Sequence, residues 1–235
     1  MRVMAMLPTY NEAENIKPLV EEILALGPEY EALVVDDHSP DGTWRIVEEM
    51  AAVNRRVHLL HRTTDRGRGT AGAAGLREAV RLGADRVIEM DADFSHDPKF
   101  IPALVAAADS ADVVIGSRLV KGGGETGRSF VRTLITFGAN LYIRLVLGLP
   151  IRDCTSGFRV FRAEALRKMH LEKMTSRGPA IVQELLLAAR RAGCRFAEVP
   201  ILFQERRAGQ STFNFKIMLA GLWSVIKFRF SRNAN

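Results

Sequence analysis

The stretch Arg86-Val-Ile-Glu-Met-Asp91-Ala-Asp93 decides the reading of this 235-residue chain. Val87–Met90 is apolar apart from Glu89, and the run Arg86–Met90 is short enough for a buried strand. It ends in two carboxylates. In extended backbone, residues two apart point to the same side, so Asp91 and Asp93 are expected to face one point. Close carboxylates repel unless a cation or proton lies between them. Hard divalent cations such as Mg2+ or Mn2+ take one or two carboxylates together with phosphate oxygens. A solvated strand-end turn is the other reading of the same residues.

Working outward, Arg2–Leu7, Ala32–Val35, Val57–Leu60 and Asp112–Ile115 also read as strands, being β-branched or unbrokenly apolar and bounded by turn residues. Helical spacing lies between them. Asn11 is placed to cap a helix, with Glu14 completing a capping box and Ile16, Leu19, Val20, Ile23 and Leu24 forming one stripe. Further helices are expected over 42–52 and 70–82. Such alternation predicts an α/β fold, a mostly parallel sheet flanked by helices, with ligands at the carboxyl ends of the strands. The second half is less regular. A long helix is expected over 128–147, a turn into a strand over 155–161, a helix over 179–192, a strand over 196–203 and a final helix over 213–230. One catalytic domain over 1–212 with an amphipathic extension over 213–235 is the expected organisation.

Composition agrees. The chain is 47% hydrophobic and 26% charged, which excludes disordered, collagen-like and coiled-coil classes. Two cysteines, Cys154 and Cys194, exclude a disulfide scaffold and fit a reduced, intracellular setting. The opening residues turn polar too soon for a secretory leader. No stretch offers the about 20 uninterrupted apolar residues of a membrane span. The net charge of +6 is unevenly spread: residues 1–117 hold 12 Lys/Arg against 20 Asp/Glu, and residues 118–235 hold 21 against 7. The acidic half fits a metal-dependent site, and the basic half fits a polyanion or an anionic membrane face. Either half could equally be solvated surface.

The other strand ends carry Pro8-Thr-Tyr10-Asn-Glu12 and Asp36-Asp37-His-Ser-Pro-Asp41. An aromatic or proline wall with carboxylates is what a nucleoside base and ribose need. Asp41 and Asn11 have a plainer reading as helix caps. The glycine-rich run Asp65–Gly75 is either a phosphate cradle or a set of small residues for close helix–sheet packing. Arg118 ends a strand, and Arg128, Arg132 and Thr136 lie four apart on one helical face. Asp153-Cys-Thr155-Ser156-Gly157-Phe-Arg159 and Arg206-Arg-Ala-Gly209-Gln-Ser211 add further arginine and hydroxyl groups, the usual apparatus for phosphate. Of the five histidines only His96 lies near the carboxylate pair. Neither a nucleophile elbow nor a Cys–His pairing signal occurs.

Taken in order, Pro8–Glu12, Asp36–Gly42, Asp91-Ala-Asp93, Gly116-Ser-Arg118, Thr155–Arg159 and Arg206–Ser211 resemble the inverting, nucleotide-sugar-dependent glycosyltransferases of the GT-A fold. More narrowly they resemble polyprenol-phosphate (dolichol-phosphate) mannose synthases, over essentially the whole chain. The resemblance implies mannosyl transfer from GDP-mannose to a polyprenyl phosphate, giving a β-linked product. It implies that Pro8, Tyr10, Glu12 and Asp37, with Asp91, line the nucleotide site and that Asp91 and Asp93, with Ser95, hold Mg2+ or Mn2+ on the donor diphosphate. Arg118, Arg132 and Thr136 would hold the acceptor phosphate, and Arg206 and Ser211 would close on the diphosphate, which makes Asp93, Arg118, Arg132 and Arg206 the reacting centre. Ser95 stands where the family often has a metal-contacting Gln, Thr136 where a Ser is common, and Thr212 where a Lys often follows. The spacing of Gln and Glu around Gln183-Glu184 differs by one residue.

A phosphate monoester with a second pKa of about 6 is mostly dianionic at neutral pH. It needs no general base, in keeping with the lack of a strong base candidate. A lipid acceptor requires a membrane surface, for which 130–149 and 217–230 are the candidate interfacial segments, packing on the core being the other reading of both. Peripheral placement at a cytoplasmic membrane face, with a small membrane partner subunit and no nucleic acid, completes the expectation. Transfer from UDP-glucose and a non-catalytic membrane adaptor are the competing readings; a nucleotidyltransferase would carry its Gly/Arg loop after the first strand.

Overall fold

The computed structural model describes residues 1–126, 130–204 and 215–230. The first half alternates β1 (Val3–Thr9), α1 (Ala13–Ala25), β2 (Tyr30–Asp36), α2 (Thr43–Val53), β3 (Val57–His61), α3 (Arg68–Arg81), β4 (Arg86–Glu89), α4 (Ile101–Ala107) and β5 (Val113–Ser117). Then come β6 (Gly124–Glu125), α5 (Phe130–Leu147), β7 (Arg159–Arg162), α6 (Ala163–Lys168), α7 (Ile181–Arg191), β8 (Phe196–Pro200), β9 (Leu202–Phe203) and α8 (Phe215–Phe230).

Seven strands form one sheet in the order β3-β2-β1-β4-β7-β5-β8. All neighbours are parallel except β7, which runs antiparallel between β4 and β5. β1 is buried on both faces, as expected of a central parallel strand. Its alternation divides the core: Val3, Ala5 and Leu7 face α1 and α4, whereas Met4 and Met6 face α3, α6 and α7. β6 and β9 form a separate two-stranded parallel ribbon. α8 lies against α5 and α7, with Val225 buried and Tyr142 donating to the Leu222 carbonyl.

Three expectations change in detail. Glu12, not Asn11, is the cap residue of α1; Asn11 is left-handed (φ 61°), and Asp41 Oδ2 instead accepts from Ala13 N–H at 3.0 Å. The Asp41 side chain also accepts from Thr43 N–H, so one carboxylate serves the starts of two helices. The single strand expected over 196–203 is two, divided at Ile201, which is buried in the core while its neighbours join different sheets. β4 ends at Glu89, so Asp91 and Asp93 sit in a turn rather than on extended backbone. Among the described residues no helix is long and apolar enough to cross a membrane.

Candidate active site

Because β1, β2, β4 and β5 are parallel, the residues that follow each of them gather at one end of the sheet. Pro8 and Tyr10 come from β1, Asp37 from β2, Asp91 and Asp93 from β4, and Arg118 from β5.

Asp37 is nearly buried. Its Oδ2 accepts from Gly67 N–H at 2.6 Å and its Oδ1 pairs with Arg62 Nη1 at 2.7 Å. Burial pushes its carboxyl up, against the opposing pull of Gly67 N–H and Arg62. Tyr10, just past the end of β1, has its side chain open to solvent, and Glu12 accepts from Asn15 Nδ2 at 2.9 Å. The neighbouring Asp36 has a structural task, bound by Thr9 and Ser39. The glycine-rich run is governed by close approach: a Cβ on Gly69 would meet the Ser176 carbonyl oxygen at 1.9 Å, and one on Gly75 would meet Met6 and Val35 at 2.7 Å. Gly67 and Gly69 N–H are committed to Asp37 and to the Arg177 carbonyl. The packing reading of this run therefore prevails over the phosphate cradle.

Arg68, next to Gly67, donates from Nη2 to Asp91 Oδ1 at 2.7 Å. Asp93 is almost fully buried, and its Oδ1 accepts from Ser95 N–H (3.1 Å) and Ser95 Oγ (2.6 Å). Ser95 thus orients Asp93. Phe94 is left-handed at φ 62°, which lets the turn fold back on itself. His96 Nδ1 accepts from Asp91 N–H at 3.0 Å, which leaves the ring proton on Nε2. Burial lowers the His96 pKa, so the ring is neutral at pH 7. It stacks on Phe158 and meets the edge of Phe203. Among the described residues no group of three or more His, Cys, Asp or Glu could form a cage for a metal. Two neighbouring carboxylates with a hydroxyl fit a hard cation that keeps waters and takes its remaining ligands from substrate phosphates.

Arg118 is the hub of the basic side. Its Nε and Nη2 grip Asp153 at 2.7 and 2.8 Å, Nη2 also donates to Thr155 Oγ1 at 2.6 Å, and Nη1 pairs with Glu125 at 2.9 Å. Burial alone would raise the Asp153 carboxyl, but Arg118 outweighs it and holds that group below the usual range. Asn140 on α5 bridges Thr155 Oγ1 and the Thr136 carbonyl, bringing Thr136 to the same cluster. Phe203 lies between the two sides, 5.5 Å from the Arg118 guanidinium and 5.7 Å from the His96 ring. Arg132 belongs to α5 one turn before Thr136, with its side chain outside the described residues. Arg128, Arg206, Ser211 and Thr212 lie outside them altogether.

Gln183 and Glu184 have structural partners: Gln183 Nε2 donates to the Cys154 carbonyl, and Glu184 accepts from Thr175 and Ser176. Arg62, Arg68, Glu89, Asn140 and the organising role of Asp153 escape sequence reasoning. Only Glu89 leaves a trace there, as an acid following the apolar pair Val87-Ile88 in a central strand, where burial demands a cation.

A mostly parallel sheet with two acids just beyond a central strand, and Arg118 held by Asp153 beyond a neighbouring one, is the architecture of a GT-A glycosyltransferase. Residues 5–169 match the family model for glycosyl transferase family 2, and the chain belongs to that family. It is 43% identical to the undecaprenyl-phosphate mannosyltransferase of Micrococcus luteus, over 97% of this chain and 94% of the relative. Identity is 41% to the polyprenol monophosphomannose synthase of Mycolicibacterium smegmatis, covering 97% and 86%. It is 36% to the dolichol-phosphate mannosyltransferase of Pyrococcus furiosus, of which this chain spans 63%. In fold it superposes on glucosyl-3-phosphoglycerate synthase from Mycobacterium tuberculosis, solved with Mn2+, UDP and glucosyl-3-phosphoglycerate. The TM-score is 0.66 at 21% identity, covering 97% of this chain and 78% of that one.

Proposed function

We propose that the protein transfers mannose from GDP-mannose to a polyprenyl phosphate, with inversion at the anomeric carbon. The observation that carries the reading is the meeting, at one end of one sheet, of the Asp91/Asp93 turn and the Arg118–Thr155–Asn140–Thr136 cluster. The names of the relatives supply the sugar and the class of acceptor. In this account Pro8, Tyr10, Glu12 and Asp37 hold the guanosine, and Asp91 and Asp93, the latter oriented by Ser95, hold Mg2+ or Mn2+. That ion would stabilise the charge developing on the leaving diphosphate. Arg206 and Ser211 close on the same diphosphate.

Arg118 commits Nε and Nη2 to Asp153 and Thr155 and pairs Nη1 with Glu125, so in this account the acceptor phosphate displaces Glu125 from Nη1. Arg132 and Thr136 share that load. A dianionic phosphate needs no proton removed, so orientation and charge neutralisation carry the chemistry. Attack opposite the leaving group converts an α-linked donor into a β-linked lipid.

The lipid arrives from a membrane, and in this reading the catalytic unit is 1–212 and the segment 213–235 is the extension that meets the membrane. α5 supports peripheral docking: Leu134, Phe137, Leu141 and Leu145 form an outward stripe, with Leu145 71% exposed. α8 adds exposed Trp223 and Phe230. A cytoplasmic membrane face and a small membrane partner subunit belong to the same reading.

Titration calorimetry with GDP and UDP, with and without Mn2+, tests the donor side. Metal-dependent GDP binding at least tenfold tighter than UDP is expected, with the metal dependence lost in Asp91→Ala and Asp93→Ala. A preference for UDP moves the donor to UDP-glucose or a relative. Binding of neither nucleotide contradicts the enzyme reading of this site.

A further inference from the structure

Arg68 stands between two carboxylates of different kinds. Its Nη2 donates to Asp91 at the site, and its Nη1 lies 3.7 Å from Oε1 of fully buried Glu89. Glu89 Oε2 in turn lies 3.2 Å from Nη2 of fully buried Arg159. Charges therefore alternate from the site into the core: Asp91, Arg68, Glu89, Arg159. Among the described residues, Arg68 Nη1, both Glu89 oxygens and Arg159 Nε and Nη2 are buried without a hydrogen-bond partner. These buried groups are thus held by opposite charge rather than by hydrogen bonds, and each depends on its neighbour in the chain.

The local packing explains the glycines on either side of Arg68, since Gly67 and Gly69 lie against the carbonyls of residues 176 and 177. It gives no reason for a guanidinium between them. The carboxylates do. A guanidinium is effectively always protonated, so Arg68 brings a full positive charge to Asp91 and Glu89. Arg159 already neutralises Glu89 from the core side. The charge of Arg68 is thus left chiefly to Asp91, the more exposed member of the acidic pair.

We propose that Arg68 is a resident counter-cation of the Asp91 carboxylate. It neutralises Asp91 in the ligand-free protein, competes with a divalent ion for that carboxylate, and becomes available to a nucleoside diphosphate when the ion takes Asp91. Arg68 is a positioning residue that makes the site accept metal and diphosphate together rather than metal alone. The inference rests on the reading of Asp91 and Asp93 as metal ligands.

Calorimetry with Mn2+ alone, and with GDP at saturating Mn2+, tests it on the full chain. Arg68→Met removes the competing charge: Mn2+ alone is expected to bind at least tenfold tighter, and GDP with Mn2+ at least tenfold weaker. Arg68→Lys keeps the charge and is expected within threefold of wild type on both readouts. A merely structural role would not move the two affinities in opposite directions. Should Arg68→Met fail to fold, Arg68→Gln carries the same expectation. Mn2+ affinity unchanged or weakened in the folded, uncharged variant overturns the inference while leaving the metal reading intact. A wild-type chain that binds no Mn2+, with or without GDP, overturns both.

Discussion

Asp153 organises more of the site than any other single side chain. Its carboxylate accepts from the backbone N–H of Arg118, Thr155 and Ser156 as well as from the Arg118 guanidinium. Glu198 fixes the loop beneath it by accepting from Arg152 and Asp153 N–H. Removing one partner of a buried pair costs about 3–5 kcal/mol, so Asp153→Asn is expected to be strongly destabilising. The pH dependence follows from the depressed Asp153 pKa. The folded chain keeps this carboxyl ionised where the unfolded chain takes up a proton. Its stabilisation is complete above the ordinary carboxyl pKa of about 4 and is lost as pH falls through the depressed value. The urea midpoint should therefore fall further between pH 6 and pH 3 in wild type than in Asp153→Asn; equal falls would contradict this assignment. Asp91 and Asp93 could be singled out in the sequence because two acids end an apolar run. Arg68, Glu89 and Asp153 could not, because their meaning lies in partners 21 or more residues away, brought in by sheet order.

At the level of elements, the glycines of α3 give a direct test of packing. Gly69→Ala would drive a methyl into the Ser176 carbonyl, with backbone on both sides, and is expected to cost more than about 2 kcal/mol. Gly138 on the exposed part of α5 has nothing within 4 Å, so Gly138→Ala is expected to stabilise by about 0.5–1 kcal/mol. Thermal unfolding of the two variants checks both signs. The β–α alternation of the first half could be read from sequence because doubly buried strands are unbroken apolar runs and their helices are amphipathic. β7 is different: only four residues long, it enters antiparallel between β4 and β5, a placement no local pattern encodes. α6 is equally short, at six residues, below the length at which periodicity declares a helix.

For the molecule as a whole, the acidic and basic halves of the sequence are not separate bodies. β7 and β8 from the basic half flank β5, the last strand of the acidic half, so both halves complete one sheet. The proposed site lies where they meet, with Asp37, Asp91 and Asp93 supplied by one and Arg118 with its partners by the other. This arrangement suits a reaction between two polyanions, since each is met by groups of the sign it lacks or by carboxylates able to hold a cation. The charge contrast could be counted in the sequence, whereas the interleaving that makes it one site could not. The most direct test of the account is transfer of labelled mannose from GDP-mannose to a polyprenyl phosphate by the purified chain in detergent or vesicles. Metal-dependent formation of a β-linked polyprenyl phosphate mannose, abolished in Asp93→Ala, is the predicted result. Release of free mannose without lipid product, or a lipid product that persists in Asp93→Ala, would contradict it.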